Sequence, residues 1–311
     1  MTPLRISGRT RLLVFGGLLY VSIAWALNTV FVKLAVTQID PLTFTLFRFL
    51  AMTPLAWVFV AARREVIAIR TQDIPELLVC AACGYGVYQY LWVIGLSHTT
   101  AFASALLGGT TPIFTLAIVA VFGHERVRSG RWLGAIVAFF GIAIFEGILV
   151  GRFAIRLGDG LTLLAAVSFA SYNVTSARLL DRYSPVLLLA ITITMGTMMI
   201  LPGGLWSLMR HGIPQFSALT TATYIYSVIF PILLTYPVWS YGITRIGAGR
   251  VALFGFLVPV FAGIASAFLL HARIPHYELV GAGVALLGMA IAQFLGSRSI
   301  RPSQRTLPTT R

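Results

Sequence analysis

The sequence predicts an all-α polytopic membrane protein of ten transmembrane helices, arranged as two inverted five-helix repeats with both termini cytoplasmic. Three observations carry that expectation. Of 311 residues, 58% are hydrophobic and 10% charged, with a mean hydropathy of +0.89, too apolar for a soluble domain of this length. Apolar windows of roughly 18 or more residues recur, each able to cross a ~30 Å hydrocarbon core at ~1.5 Å per residue. The chain also repeats itself at an offset near 147 residues.

The windows cover residues 12–34, 42–61, 74–96, 100–123, 130–149, 158–178, 185–207, 218–243, 247–270 and 276–296. The first runs past the length of a signal-peptide core and reaches Lys33 without a small-residue cleavage site, so it reads as a helix rather than a leader. With the N-terminus inside, seventeen of the 23 Lys and Arg residues fall on the cytoplasmic side. Five fall outside (Lys33, Arg152, Arg156, Arg210 and Arg273), and Arg48 lies within span 2. Basic loops are retained in the cytoplasm, which sets the orientation. The net charge of +14 is dispersed over these short loops rather than gathered on a basic domain, so nucleic acid is not an expected partner. Contact with anionic membrane lipid is. The tail 297–311 is basic, almost without apolar residues, and reads as disordered.

Span 1 places Trp25, Asn28 and Thr29 on one face. Arg48 lies several residues into span 2, and an unpaired Arg there is costly. Structural pairing, with Glu146 or a backbone carbonyl, or snorkelling is its ordinary reading; a substrate carboxylate is the alternative. In span 3, Tyr85, Tyr88, Gln89 and Trp92 stand at i, i+3, i+4 and i+7 and share a face. Cys80 and Cys83 form C-x2-C there, without a second Cys/His pair close in sequence, which reads as small-residue packing. No metal and no cofactor are expected. Span 4 weakens its own helix with Gly108, Gly109, Thr110, Thr111 and Pro112. Pro112 supplies no N–H to the Gly108 carbonyl. Span 5 ends near Glu146, an acidic side chain within an apolar span. Span 6 carries Phe169, Tyr172 and Asn173 on one face. Span 8 carries Ile232, Thr235, Tyr236 and Trp239, and span 9 repeats the span-4 pattern with Gly255 and Pro259.

The duplication ties these stretches together. At an offset of 147, residues 92–145 fall without a gap on 239–292 with 18 identities in 54 positions, among them Trp92/Trp239, Gly108/Gly255, Pro112/Pro259 and Gly134/Gly281. At an offset of 144, Ala26 meets Ala170 and Pro41 meets Pro185. Residues 1–149 and 150–296 are thus two five-helix units. An odd number of crossings turns the second unit upside down, a carrier architecture.

Trp25-Ala26-Leu27-Asn28, the run Pro41 to Phe49, Thr111-Pro112-Ile113-Phe114, Gly123-His124-Glu125-Arg126 and Gly134 to Gly141 resemble the EamA-type branch of the drug/metabolite transporter superfamily. Val258-Pro259-Val260-Phe261 and Gly281 to Gly288 resemble its second repeat, and the likeness covers about residues 12–296. Leu270, His271 and Ala272 replace Gly123, His124 and Glu125 in the second copy, so a role for Glu125 is not symmetric. The resemblance implies a ten-helix carrier of the cell inner membrane, often an exporter of amino acids or related metabolites. Small multidrug exporters of the superfamily depend on a helix-1 carboxylate; span 1 here has none, which disfavours cation/proton antiport built on one.

Function is therefore expected to be efflux of a small amphipathic metabolite by alternating access. The expected cavity is lined by Trp25, Asn28, Tyr85, Tyr88, Gln89, Trp92, Thr110, Thr111, Tyr172, Asn173, Thr235, Tyr236 and Trp239. Aromatic walls would take the apolar part and amides, hydroxyls and proline-freed carbonyls the polar head. Gly108, Pro112, Gly255 and Pro259 are expected hinges, while Lys33, Arg48 and Glu146 are charged candidates. Interhelical hydrogen bonding and packing would place the same residues inside without any ligand. A multidrug exporter is the rival within transport. A membrane-embedded enzyme is the rival outside it, but no nucleophile–base pair or metal set is apparent at membrane depth. A monomer and a homodimer both remain open.

Overall fold

The computed structural model describes residues 8–121, 129–151, 156–246, 254–255 and 257–296, and their regular structure is helical throughout. Labelled by the spans they fall in, the helices are α1 (Gly8–Ala35), α2 (Pro41–Ala62), α3 (Thr71–Ser97), α4 in two halves (Ala101–Gly108 and Thr111–Val121), α5 (Ser129–Phe145) and α6 (Leu157–Leu179). Then come α7 (Pro185–His211), α8 (Ala218–Val228, Ile229–Leu234 and Thr235–Ile246), α9 (Leu257–Leu269) and α10 (His276–Gly296). The Gly123-His124-Glu125-Arg126 motif, Arg152, Arg250 and the tail 297–311 lie outside the described residues.

Local chemistry starts the helices. The Asp40 carboxylate accepts from the Leu42 and Thr43 amides at 3.0 and 3.2 Å, and Pro41 opens α2 where its missing N–H costs nothing. Ser184 and Pro185 repeat that device at α7. Thr100 and Ser217 cap α4 and α8 in the same way.

Equivalent helices of the two repeats run antiparallel where they pack. On α5 and α10, a Cβ added at Gly134 would lie 2.2 Å from the Ala292 backbone nitrogen, and one at Gly281 would lie 2.3 Å from that of Phe145. Gly141 against Ala285 and Gly288 against Ala138 repeat the relation at 2.2 Å each. Each contact is the image of its partner under the 147-residue offset. Between α2 and α7 the Thr53 and Thr197 hydroxyls, counterparts at offset 144, meet each other at 2.8 Å. Trp57 donates to Thr194 at 2.9 Å, and Thr43 meets Ser207 at 2.7 Å.

The same symmetry ties the loops. Near the end of α6, Arg182 pairs with Asp73 at 2.6 Å and with Glu76, while the Tyr183 hydroxyl donates to Asp73 at 2.7 Å. At the opposite end of the bundle the offset images of Arg182 and Asp73 are Gln38 and Thr220, and the Thr220 hydroxyl donates to the Gln38 side chain at 2.5 Å. Ser217 donates to the same oxygen at 3.0 Å. Of these two symmetry-related ties, one rests on charge and the other on neutral hydrogen bonds.

Outward faces remain apolar: Val58, Met198, Phe268 and Val280 are each more than half exposed. A lipid-facing surface has that character. Four helices are individually long and apolar enough to cross a membrane: Leu12–Ala35, Pro41–Ala62, Thr71–Ser97 and Pro185–His211. The other apolar helices among the described residues are shorter, including Trp132–Phe145, Ala218–Leu234, Leu257–Leu269 and His276–Ala292. The expected span 4 is not one helix but two, because its Gly108–Thr110 stretch interrupts it.

Candidate functional site

Helices α1, α3, α6 and α8 bring the predicted aromatic and amide faces to the centre of the bundle. Two of them do so through π-helical turns, Ala82–Gly86 in α3 and Ile229–Leu234 in α8. These turns are images at the 147-residue offset. A π turn inserts one extra residue per turn and rotates the helix face that follows. Pro231 adds a second effect in α8, since it has no N–H for the carbonyl of Ser227.

A continuous series of rings crosses between the repeats. Trp25 lies 4.9 Å from Trp239 and 6.3 Å from Tyr236; Tyr236 lies 6.5 Å from Tyr85, which is 5.7 Å from Tyr172. Tyr172 stacks on Phe169 at 5.3 Å, and Phe169 reaches Tyr88 at 5.0 Å. The Trp25 indole N–H donates to the Pro231 carbonyl at 2.9 Å and to the Thr235 hydroxyl at 3.0 Å, fixing its ring. The Thr235 hydroxyl in turn donates to the Pro231 carbonyl at 2.7 Å. Asn173 is half-buried on the α6 face that carries Tyr172.

Buried polar atoms on the helices that carry these rings lack partners. The Asn28 Oδ1 and Gln89 Oε1 atoms are buried without a hydrogen bond, in side chains 9% and 5% exposed. Arg48 is 1% exposed, its guanidinium 5.8 Å from the Phe44 ring and 5.9 Å from that of Trp92. Its Nη2 donates to the Ser227 carbonyl, the group stranded by Pro231, at a long 3.4 Å. Nε and Nη1 have no acceptor.

The charged candidates separate. Arg48 does not bond to Glu146, as one reading of the sequence had it; its bond goes to a carbonyl of α8. Glu146 follows α5 and lines a cavity of about 140 Å³ with Leu107, Phe139, Ile142, Ala143, Asp159 and Leu163. Lys33 donates to the Leu96 and Ser97 carbonyls at 2.8 and 3.0 Å. It caps the C-terminal end of α3, where those groups lack helical partners.

At Pro112 the structure differs from the expectation of a kinked helix with a freed carbonyl. Pro112 is the second residue of the second half of α4, a position that tolerates it. The Gly108 carbonyl is not free: the Thr111 hydroxyl donates to it at 2.8 Å, and Thr110 donates to the Leu107 carbonyl at 2.6 Å. Pro259 is buried within α9. Gly108 and Gly255 both face open space, with nothing within 4 Å of an added Cβ.

Tyr224, whose hydroxyl donates to the Phe47 carbonyl at 3.0 Å, and Tyr226, which donates to the Ala24 carbonyl at 3.1 Å, also join this region. Both precede the π turn of α8, so they fall out of phase with Thr235, Tyr236 and Trp239, and periodicity alone did not connect them.

The model describing the EamA-like transporter family matches residues 13–146 and 156–293. Among similar chains, one from Escherichia coli named as a probable amino-acid metabolite efflux pump is 25% identical, with 89% of this chain and 93% of that one covered. One from Streptantibioticus cattleyicolor, a probable terminal-alkyne amino-acid exporter, is 27% identical over 78% and 80%. An uncharacterized transporter of Archaeoglobus fulgidus is 25% identical over 85% and 92%. A solved crystal structure with 16% identity superposes with a TM-score of 0.64 over 90% of this chain and 97% of its own, a likeness of fold.

Proposed function

The chain belongs to the EamA-like transporter family, and from that premise we propose that it is a ten-span carrier of the cell inner membrane that exports small amphipathic metabolites, amino acids or their derivatives, by alternating access. The observation that carries this reading is the run of rings from Trp239 to Tyr88 across both repeats, with unpaired, buried Asn28 and Gln89 oxygens on two of the same helices, α1 and α3. Rings offer area to an apolar side chain. Unpaired buried acceptors cost free energy until a donor arrives. The antiparallel pairing of α2 with α7 and of α5 with α10 supplies two related half-bodies that can rock about a shared site. The names of the relatives from Escherichia coli and Streptantibioticus cattleyicolor favour amino-acid metabolites over other amphipathic solutes.

Cells producing the protein are compared with cells lacking it for amino acids and derivatives in the medium, followed by flux in proteoliposomes. Faster release of an amino-acid metabolite and saturable flux are expected. Flux competed by hydrophobic drugs but by no amino acid would favour the multidrug rival instead. No flux of either class would remove the carrier reading.

A further inference from the structure

Arg48 is the largest of the fully buried side chains among the described residues, yet most of its guanidinium has nothing to bind. At 1% exposure it makes one long hydrogen bond, to the Ser227 carbonyl at 3.4 Å, while Nε and Nη1 have no acceptor. Among the described residues no carboxylate pairs with it. Removing a cation from water is costly unless a partner restores the interaction. Two aromatic rings at 5.8 and 5.9 Å offset only part of that cost.

The duplication sharpens the point. The counterpart of Arg48 at offset 144 is Thr192, whose hydroxyl is satisfied within its own helix by the Leu188 carbonyl at 2.6 Å. A scaffold that packs well with Thr in one copy does not need Arg in the other. Beside Arg48, the Trp92 ring on α3 is within 5.9 Å, and Gln89, one turn before Trp92 on the same face, has its unpaired Oε1. Asn28 contributes another from α1. A planar fork of donors thus stands unpaired beside Trp92, on the α3 face that also carries Gln89 and Tyr88, and Tyr88 in turn meets Phe169 of the ring series.

We propose that Arg48 is the carboxylate anchor of the transport site, with Gln89 and Asn28 accepting from an adjacent amino group, so that the solutes carried are free α-amino acids or N-substituted amino acids with an intact carboxylate. This deepens the exporter reading above and rests on it. Guanidinium N–H groups meet carboxylate oxygens two at a time, and such charge-assisted pairs are about twice as strong as neutral ones. An amide or ester of the same acid offers no charge to Arg48. Selection is therefore for the acid head, with the ring series tolerant of the side chain.

The test uses the purified full-length protein in detergent and four probes: phenylacetate, phenylacetamide, L-phenylalanine and L-phenylalaninamide. Thermal unfolding reads binding, because a ligand of the folded state raises the midpoint. Each acid is expected to bind at least about tenfold more tightly than its amide. Arg48→Gln should bring the acids down to the level of the amides, and Arg48→Lys should keep the preference at lower affinity. Gln89→Leu should weaken L-phenylalanine but not phenylacetate. If Arg48→Gln fails to fold, phenylglyoxal modification of wild-type Arg48 replaces it, with protection by phenylacetate and none by phenylacetamide expected. Equal binding of acid and amide, no binding of either acid, or acid preference retained in Arg48→Gln overturns the assignment. Flux in proteoliposomes separates it from the wider reading: acid-selective binding without flux sinks the exporter and keeps the site, whereas equal flux of acids and amides keeps the exporter and sinks the site.

Discussion

Trp25 and Gln89 show two ways in which a single side chain can serve this bundle. The Trp25 indole N–H is satisfied twice, by the Pro231 carbonyl and the Thr235 hydroxyl, so its ring is held in place before any solute arrives. Trp25→Phe keeps most of the ring and loses the donor. A neutral hydrogen bond contributes about 0.5–1.5 kcal/mol, so the thermal midpoint should fall by a few degrees while Trp25→Ala should fall further. Gln89 and Asn28 hold unsatisfied oxygens instead. Gln89→Leu and Asn28→Leu are expected to leave the midpoint unchanged or raise it, and to weaken solutes with a polar head by roughly 1–3 kcal/mol. Loss of stability without loss of affinity in either Leu variant would make these amides interhelical glue. Spacing on the helix placed all three side chains on inward faces; which were already bonded depended on α8, some 200 residues away in sequence.

At the scale of the helix, glycine carries two different meanings. Gly134 and Gly288 allow α5 and α10 to approach until backbone meets backbone, since an added Cβ would fall 2.2 Å from a main-chain nitrogen in each case. Gly283 on α10 has nothing within 4 Å of an added Cβ. Gly134→Val should therefore separate the two helices and lower the yield of folded protein sharply, whereas Gly283→Ala should stabilise slightly, by up to about 1 kcal/mol from helix propensity. Equal effects would mean that the α5/α10 contact is not a close one. Gly108 and Gly255 resemble Gly283 in having open space, yet each stands four residues before a proline, and Pro112 lies in the opening turn of the second half of α4. The double variant Gly108→Ala/Gly255→Ala should fold as well as wild type and turn over more slowly, because alanine stiffens the break. Pro112→Ala/Pro259→Ala is expected to act in the same direction. Unchanged turnover in both double variants would assign the breaks to packing alone.

Across the whole molecule, the two ends of the bundle are fastened by related but unequal ties. Arg182 with Asp73 and Glu76 fastens one end, and Gln38 with Thr220 and Ser217 the other. The Arg182 side chain is 32% exposed, so its pairs are screened by water and stabilise the closed end only weakly. In a balanced two-state equilibrium a weak tie still biases the populations. Arg182→Gln makes the charged tie resemble the neutral one. A single cysteine at Asn173, with Cys80 and Cys83 replaced by serine, should then react two- to fivefold faster with an impermeant maleimide from the Arg182 side. An unchanged rate would mean that the tie does not bias the opening of that end. Orientation is checked separately: reporters fused at Arg64 and at the C-terminal tail should read cytoplasmic, and those near His98 and Arg152 external. A tail read outside would overturn the inverted arrangement of ten spans.

The sequence by itself determined the helical, membrane-embedded character of the chain and its duplication, because both follow from local quantities: hydropathy over a window and identity at a fixed offset. It also determined the faces of α1, α3, α6 and α8, since helical spacing is set by 3.6 residues per turn wherever the helix is regular. What it did not determine lies where that regularity breaks or where partners are distant. The π turns at Ala82–Gly86 and Ile229–Leu234 shift the phase of α3 and α8, which hid Tyr224 and Tyr226 from the periodic pattern. The Gly108 carbonyl, freed by Pro112 on paper, is taken by the Thr111 hydroxyl one residue before that proline. Only tertiary packing decided that Lys33 would cap α3, that Glu146 would lie beside Asp159, and that Arg48 would be buried against Phe44 and Trp92 with most of its donors unpaired. Charge in a low-dielectric interior is governed by what stands within a few ångströms, and those neighbours come from helices far apart in the chain.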